Sequence, residues 1–250
     1  MKHISEPLPL AGQAERASSG RMSGLRSPLT LGLVSCSLVG PLLFSVTYLL
    51  EGITRPGYDA WQQPISALSL GPGGWVQQVN FVVFGVLMVL SAVGWHRLLA
   101  PWRQAIWFPL LQGISGLGLI GAGLFSMDPF PGYPPGAALA PSTVHGTVHS
   151  VLAFVIILTL ALGCFTLFAS FLFGSLARFP HWRGWAVYSL ITGVLILIFW
   201  GMFVRYPTEP LAGLVERLSA GSHALWSCLL AAALLIRQRP GADPVKGGRR

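Results

Sequence analysis

Residues 145–173 read HGTVHSVLAFVIILTLALGCFTLFASFLF and contain no Asp, Glu, Lys or Arg. An α-helix rises about 1.5 Å per residue, so roughly 20 apolar residues cross a hydrocarbon core of about 30 Å. This stretch is therefore long enough to span a bilayer. Backbone groups in lipid find no water to bond, and a helix satisfies them within the segment.

Five further windows have the same character, and the six together predict an all-α, six-helix transmembrane bundle. They are 29–50, 75–95, 106–126, 185–204 and 214–236. The composition supports this prediction, because 53% of the 250 residues are hydrophobic, only 10% are charged and the mean hydropathy is +0.64. A water-soluble globule of this size needs more polar surface than the chain provides.

The basic residues predict an orientation. Every Lys and Arg except Arg55, Arg205 and Arg217 falls in the N-terminal tail, the second link, the fourth link or the C-terminal tail. The positive-inside rule then places both termini in the cytoplasm, with 1–28 as a disordered basic tail and 237–250 as a second basic tail. We expect a multi-pass protein of the cytoplasmic (inner) membrane.

Nucleic acid is not an expected partner despite the net charge of +8. The basic residues are spread over links and tails and form no stripe on one folded face. The lipid bilayer is the expected partner, and the sequence gives no indication of oligomeric state.

Two links on the non-cytoplasmic side are long, 51–74 and 127–144. The first predicts a short amphipathic helix lying on the membrane interface, anchored by Trp61 and Trp75. The second is dense in Pro and Gly and predicts an ordered cap over the helix ends.

Glycines in the third span suggest close helix packing. Gly113, Gly116 and Gly123 lie near one face at helical spacing. Because glycine lacks a side chain, a neighbouring helix is expected to approach closely along that face.

Polar and ionisable residues gather on the outer side in this orientation. Such groups are costly inside a membrane and usually face the bundle interior. They predict an outward-facing pocket that binds a small amphiphile, a lipid headgroup or a partner protein. The ligand-binding candidates are Asp59, Gln77, Asn80 and Arg217, and Asn80 is also expected to bond between helices.

A histidine pair raises the alternative of a zinc-dependent hydrolase acting on a lipid-like substrate. His145 and His149 are four residues apart, so they share a helical face and can present two imidazoles to one ion. His223 or Asp128 would complete the ligand set. Zinc would activate a bound water. The catalytic candidates are Glu216, as the base, and Ser66.

Two other hypotheses compete for the same histidines. In the first, His145 and His149 bond the Pro-rich outer link and cap helix ends without any metal. In the second, a b-type haem is held between His149 and His223, as in other bundles with paired axial histidines.

Several runs of the chain resemble the prokaryotic membrane family known as domain of unknown function 998. They are 56–59 (PGYD), 64–81 (PISALSLGPGGWVQQVNF), 121–125 (GAGLF) with Asp128-Pro129, 145–149 (HGTVH) and 213–218 (GLVERL). The resemblance covers about residues 46–236. It implies a multi-span membrane protein in which the outer-side residues are recurring pieces, and it implies no activity.

A weaker analogy is to the alkaline-ceramidase-like intramembrane hydrolases, which combine Ser, Asp and several His around zinc. The matching residue types here are Ser66 or Ser69, Asp128, His145, His149 and His223. The helix count and the motif order differ from that group, so the analogy concerns chemistry alone.

Overall fold

The computed structural model describes residues 27–100, 103–137, 141–174, 176 and 182–237. The predicted tails, 1–28 and 237–250, lie outside this part of the chain except for Ser27, Pro28 and Arg237. Six helices follow one another: α1 (Pro28–Thr54), α2 (Gly74–Leu99), α3 (Trp107–Leu124), α4 (Val144–Leu172), α5 (Arg183–Arg205) and α6 (Ala212–Arg237).

All six helices are long and apolar enough to cross a membrane. Each helix coincides with one of the predicted windows, and its ends differ from that window by no more than a few residues. Apart from one isolated bridge, the regular structure of the described residues is helical, so the all-α prediction is confirmed for them. Large apolar side chains are exposed on each helix, as expected for surfaces that face hydrocarbon.

The helices form a closed ring. Each packs against the next along the chain, and α6 packs against α1. Polar side chains between helices are hydrogen-bonded: the indole of Trp95 donates to Ser37 at 2.8 Å, and that of Trp226 donates to Ser189 at 3.0 Å. Such bonds fix the contacts between helices in an apolar environment.

Helices α2 and α3 approach each other at backbone distance. A Cβ added to Gly85 would lie 2.5 Å from the Gly116 carbonyl oxygen, and one added to Gly123 would lie 2.6 Å from that of Gln78. The expectation for Gly116 and Gly123 is therefore confirmed. At Gly113 the same test meets only the Ala92 Cβ at 3.7 Å, so the space there is more open.

The first long linker enters the bundle, contrary to the interfacial helix predicted for it. It forms a short 3-10 helix, Ile65–Ser69, in which Ala67 and Leu68 are fully buried. The prediction was wrong because this apolar run packs into a cluster with side chains of the ring, including Phe44 and Phe81. The anchor candidates Trp61 and Trp75 do remain exposed.

The second long linker packs onto the first. Phe130 and Tyr133 pair across a tight turn that needs the positive φ of Gly132, +80°. The buried ring of Tyr133 meets that of Tyr58 edge-on, with centroids 5.3 Å apart. We call the end of the bundle covered by these two linkers the cap end, and the opposite end, marked by Arg97 and Arg183, the basic end.

Candidate functional site

Residues 58–70 of the first linker close the cap end over the interior of the ring, and we call this segment the roof. The Ile65 amide donates to Glu216 Oε2 at 2.6 Å, and the Leu214 amide donates to the Trp61 carbonyl at 2.9 Å. Helix α6 reaches this close because residue 213 is glycine. A Cβ there would lie 2.4 Å from the Gln63 carbonyl oxygen.

Arg217 is the second attachment between α6 and the roof. Its guanidinium donates to the Gln63 carbonyl at 2.9 Å, to the Gly213 carbonyl at 2.8 Å and to the Tyr58 hydroxyl. It also lies over two rings, 5.7 Å from the Tyr58 centroid and 5.8 Å from that of Tyr48. Arg217, predicted to bind a ligand, therefore directs its two terminal nitrogens to the protein itself, while its buried Nε has no hydrogen-bond partner among the described residues.

Tyr58, the first residue of the roof, bonds to backbone carbonyl groups further along this segment. Its hydroxyl lies 3.1 Å from the Gln63 carbonyl oxygen and 2.9 Å from that of Pro64. Burial raises the pKa of Tyr58 above its ordinary value, although the nearby Arg217 opposes the shift. The phenol is thus neutral at physiological pH and keeps the proton that it shares with these carbonyls.

Asp59, another ligand-binding candidate, shapes the start of the roof. Its side chain is exposed, and Oδ1 accepts a hydrogen bond from the Trp61 amide at 2.9 Å. Its carbonyl accepts one from the Gln63 amide at 2.8 Å. These bonds close a turn of the kind that an aspartate favours.

Beneath the roof lies a cavity of about 100 Å³, which we call the interior cavity. This volume is several times what one water molecule needs. The walls of this cavity come from the roof and from all six helices, except for the helical turns near the basic end. These walls are mainly apolar. The polar lining residues are Ser45, Ser66, Glu216, Ser219 and His223.

Glu216 and His223 face the interior cavity from the same side of α6, because seven residues are two helical turns. One oxygen of Glu216 is bound to the roof, and Ser219 donates to the Ile196 carbonyl at 3.0 Å. His223 is only 5% exposed, and no hydrogen bond joins its ring nitrogens to another described residue. Its ring lies 5.9 Å from that of Trp226.

His145 and His149 lie at the junction of α3 and α4. His149 Nδ1 is 2.7 Å from the Phe125 carbonyl oxygen, which can only accept, so Nδ1 carries the proton. His145 is exposed, and its ring packs on the Phe125 ring with centroids 5.2 Å apart. Of the hypotheses for this pair, the geometry favours bonding to a helix end.

Asp128 also serves the start of α4. Its carboxylate accepts from the Thr143 amide at 3.0 Å and from the Thr143 hydroxyl at 2.6 Å, while the Thr143 hydroxyl accepts from the Gly146 amide at 3.0 Å. Thr143 is thus a helix N-cap that Asp128 holds in place. A Thr directly before a long apolar helix is a recognisable capping signal.

Asn80 joins α2 to α1, and Gln77 on the same helix is its second partner. Asn80 Nδ2 donates to the Phe44 carbonyl and to Gln77 Oε1, both at 3.1 Å. Both side chains are buried, and neither lines the interior cavity. The expectation that Asn80 bonds between helices is confirmed by this contact.

The predicted zinc ligands are not brought together. Within the described ranges, no three His, Cys, Asp or Glu side chains are grouped so that they could hold a metal ion. His223 lines the interior cavity, whereas His145, His149 and Asp128 belong to the α3–α4 junction. The histidine pair of the haem hypothesis is divided in the same way.

Three predicted residues do share one cavity: Ser66, Glu216 and His223. Sequence reasoning missed the Ile65 amide as the partner of Glu216, since nothing local indicates it. It also missed Trp200 as a wall residue of the cavity. Ser219 could have been found as a site residue from its place between Glu216 and His223 on one helical face.

A family model described as "Protein of unknown function (DUF998)" matches residues 38–233. No curated protein and no solved structure matches the chain.

The attachment of α6 to the roof can be tested by hydrogen exchange. We expect Gly213→Ala and Arg217→Ala to raise exchange of the roof amides, Ile65 among them, by about tenfold or more, as loss of hydrogen bonds to a charged group implies. Mass spectrometry of the peptide covering residues 58–70 measures this. Gly221→Ala is the matched control, since a Cβ there meets nothing within 4 Å. Unchanged exchange in both test variants would contradict the proposed attachment.

Proposed function

The chain belongs to the DUF998 family of proteins of unknown function, and we propose that it binds a small amphiphile in the interior cavity. The observation that carries this proposal is the pair Glu216 and His223, two polar side chains that line one mainly apolar cavity inside a membrane-type bundle. Ionisable groups in such a place are costly and typically serve a function. His223 in particular has no hydrogen-bond partner among the described residues to account for it.

The lining defines the chemistry of the ligand. Side chains such as Phe84, Ile156 and Leu160 accept a short hydrocarbon chain. The free carboxylate oxygen of Glu216 and an imidazole nitrogen of His223 accept hydrogen bonds, so they suit a headgroup that donates. A carboxylate also disfavours an anion nearby in a medium of low dielectric constant. We therefore propose an amine or hydroxyl headgroup.

The part of the cavity wall formed by α5 has few buried residues near the cap end. This supports entry of the ligand from the bilayer at that place. Ile196 is the last buried residue of α5. Between Ile196 and the end of α5, the cavity is lined by Trp200. The roof, by contrast, is attached through Tyr58, Glu216 and Arg217. A lateral route past Trp200 thus requires fewer contacts to break than a route through the roof.

Filling the cavity tests binding. We expect decylamine and decanol to raise the unfolding temperature of the detergent-purified protein, and decanoate to have no such effect, because a ligand bound only by the folded state stabilises it. Ala153→Leu places three extra carbons in the cavity wall and should abolish the response. Ala169→Leu, on the exposed face of the same helix, should retain it.

The headgroup preference has its own variant. Glu216→Gln keeps an acceptor oxygen for the Ile65 amide while it removes the negative charge. This variant should therefore bind decanol as the unaltered chain does. It should lose most of the preference for decylamine over decanol. A full response in Ala153→Leu, or an equal response to decanoate, would overturn the proposed function.

We also propose that the cap end faces away from the cytoplasm and that both termini are cytoplasmic, in the inner membrane. This rests on the Lys and Arg residues, of which only Arg55, Arg205 and Arg217 lie in the part of the sequence that forms the cap end. The two long linkers and the exposed Trp61 and Trp75 would then lie at the outer interface.

Cysteine accessibility in intact cells tests this orientation. In a variant lacking Cys36, Cys164 and Cys228, a membrane-impermeant maleimide should label Thr208→Cys, which is exposed in the link between α5 and α6. Ala100→Cys, exposed at the basic end, should react only after the membrane is permeabilised. The reverse labelling pattern would show that the bundle is inserted the other way.

A further inference from the structure

A second space lies on the outside of the ring, in the groove between α2 and α3. It has a volume of about 530 Å³ and apolar walls from Val89 to His96 on α2 and from Trp107 to Leu117 on α3, together with Ile106 just before α3. Its floor is formed by Ala92 and Gly113, at the place where α2 and α3 leave more open space. We call it the outer groove, and it is separate from the interior cavity.

The outer groove covers one leaflet of a bilayer. From Trp107 to Leu117 it runs about 15 Å along α3, given a rise of about 1.5 Å per residue. This is half of a hydrocarbon core of about 30 Å. A lipid acyl chain that lies within one leaflet has this reach.

The polar residues of the groove lie at one end only. His96 and the exposed Trp107 line it where the helices meet the basic end. Arg97 is exposed in the last turn of α2, and it flanks the groove because it is four residues from the lining residue Val93. Trp and Arg at this level are typical of the headgroup region, and Arg attracts an anionic phosphate.

We propose that the outer groove is a binding site for an anionic phospholipid. One acyl chain lies on Ala92 and Gly113, and the phosphate lies beside His96 and Arg97. The site takes its lipid from the leaflet at the basic end. It is independent of the amphiphile proposed for the interior cavity.

Native mass spectrometry of the detergent-purified full chain tests this site. Dioleoyl phosphatidylglycerol and dioleoyl phosphatidylcholine are supplied at equal concentration. We expect one retained phospholipid, with phosphatidylglycerol favoured about fivefold, as one basic side chain near an anionic headgroup implies. Gly113→Leu should abolish retention because it fills the groove from its floor, where only the Ala92 Cβ is within 4 Å.

Two further variants make the result specific. Gly32→Leu adds the same side chain at an exposed position of α1 with nothing within 4 Å, and it should retain the lipid. Arg97→Gln should keep one lipid bound and bring the ratio of the two lipids close to one. The proposal is overturned if Gly113→Leu retains phosphatidylglycerol as the unaltered chain does. It is also overturned if the unaltered chain is a dimer that Gly113→Leu dissociates.

Discussion

The hydrogen bond from the Ile65 amide to the Glu216 carboxylate joins residues 151 positions apart, and the rest of the cap end depends on it. Non-helical backbone that enters a membrane bundle has little water to bond, so the protein itself must supply its partners. Helix α6 does this for the roof, through Glu216 for an amide and Arg217 for a carbonyl. Glu216 and Arg217 are adjacent in sequence and point apart on the helix, and together they bind the non-helical backbone of the roof.

This constraint also creates the interior cavity. Because the roof is held by groups at its edge, Ile65 and Ser66 close the space between the helices without filling it. Glu216 takes part in both roles, since one oxygen binds the roof and the residue lines the cavity. Structural support and the proposed ligand contact would therefore meet at this one residue.

The polar residues of the cap end form two groups with different structural roles. Asp128 and His149 satisfy backbone groups where α3 ends and α4 begins, and so stabilise the ring. Glu216 and His223 lie on α6 and face the interior cavity. A metal shared by all of them would need ligands that the helix ends already use.

Hydrophobic length was enough to predict the six helices from the sequence, because each span must satisfy its own backbone and cover its own stretch of lipid. Glycine spacing also predicted the contact at Gly116. The roof could not be predicted, since the run around Ile65 is equally suited to a membrane interface and to a buried plug.

Two residues of the candidate site were recognised in the sequence by a similar argument. His223 and Glu216 were recognised as costly groups inside a span, and helical spacing placed them on one face. The division of the histidines was not visible, because His149 bonds a carbonyl of a residue 24 positions away, at the end of another helix. The packing of α3 against α4 brings His149 to this carbonyl, and the sequence does not show that packing.

Photo-crosslinking most directly tests whether the interior cavity receives an amphiphile. A decylamine that carries a diazirine on its chain is bound to the protein, irradiated and located by peptide mass spectrometry. We expect labelling of residues that line the cavity, such as Ala220 and Ala224 on α6, and its suppression by excess decylamine. Labelling confined to the outward, lipid-facing sides of the helices, or unaffected by competitor, would contradict it.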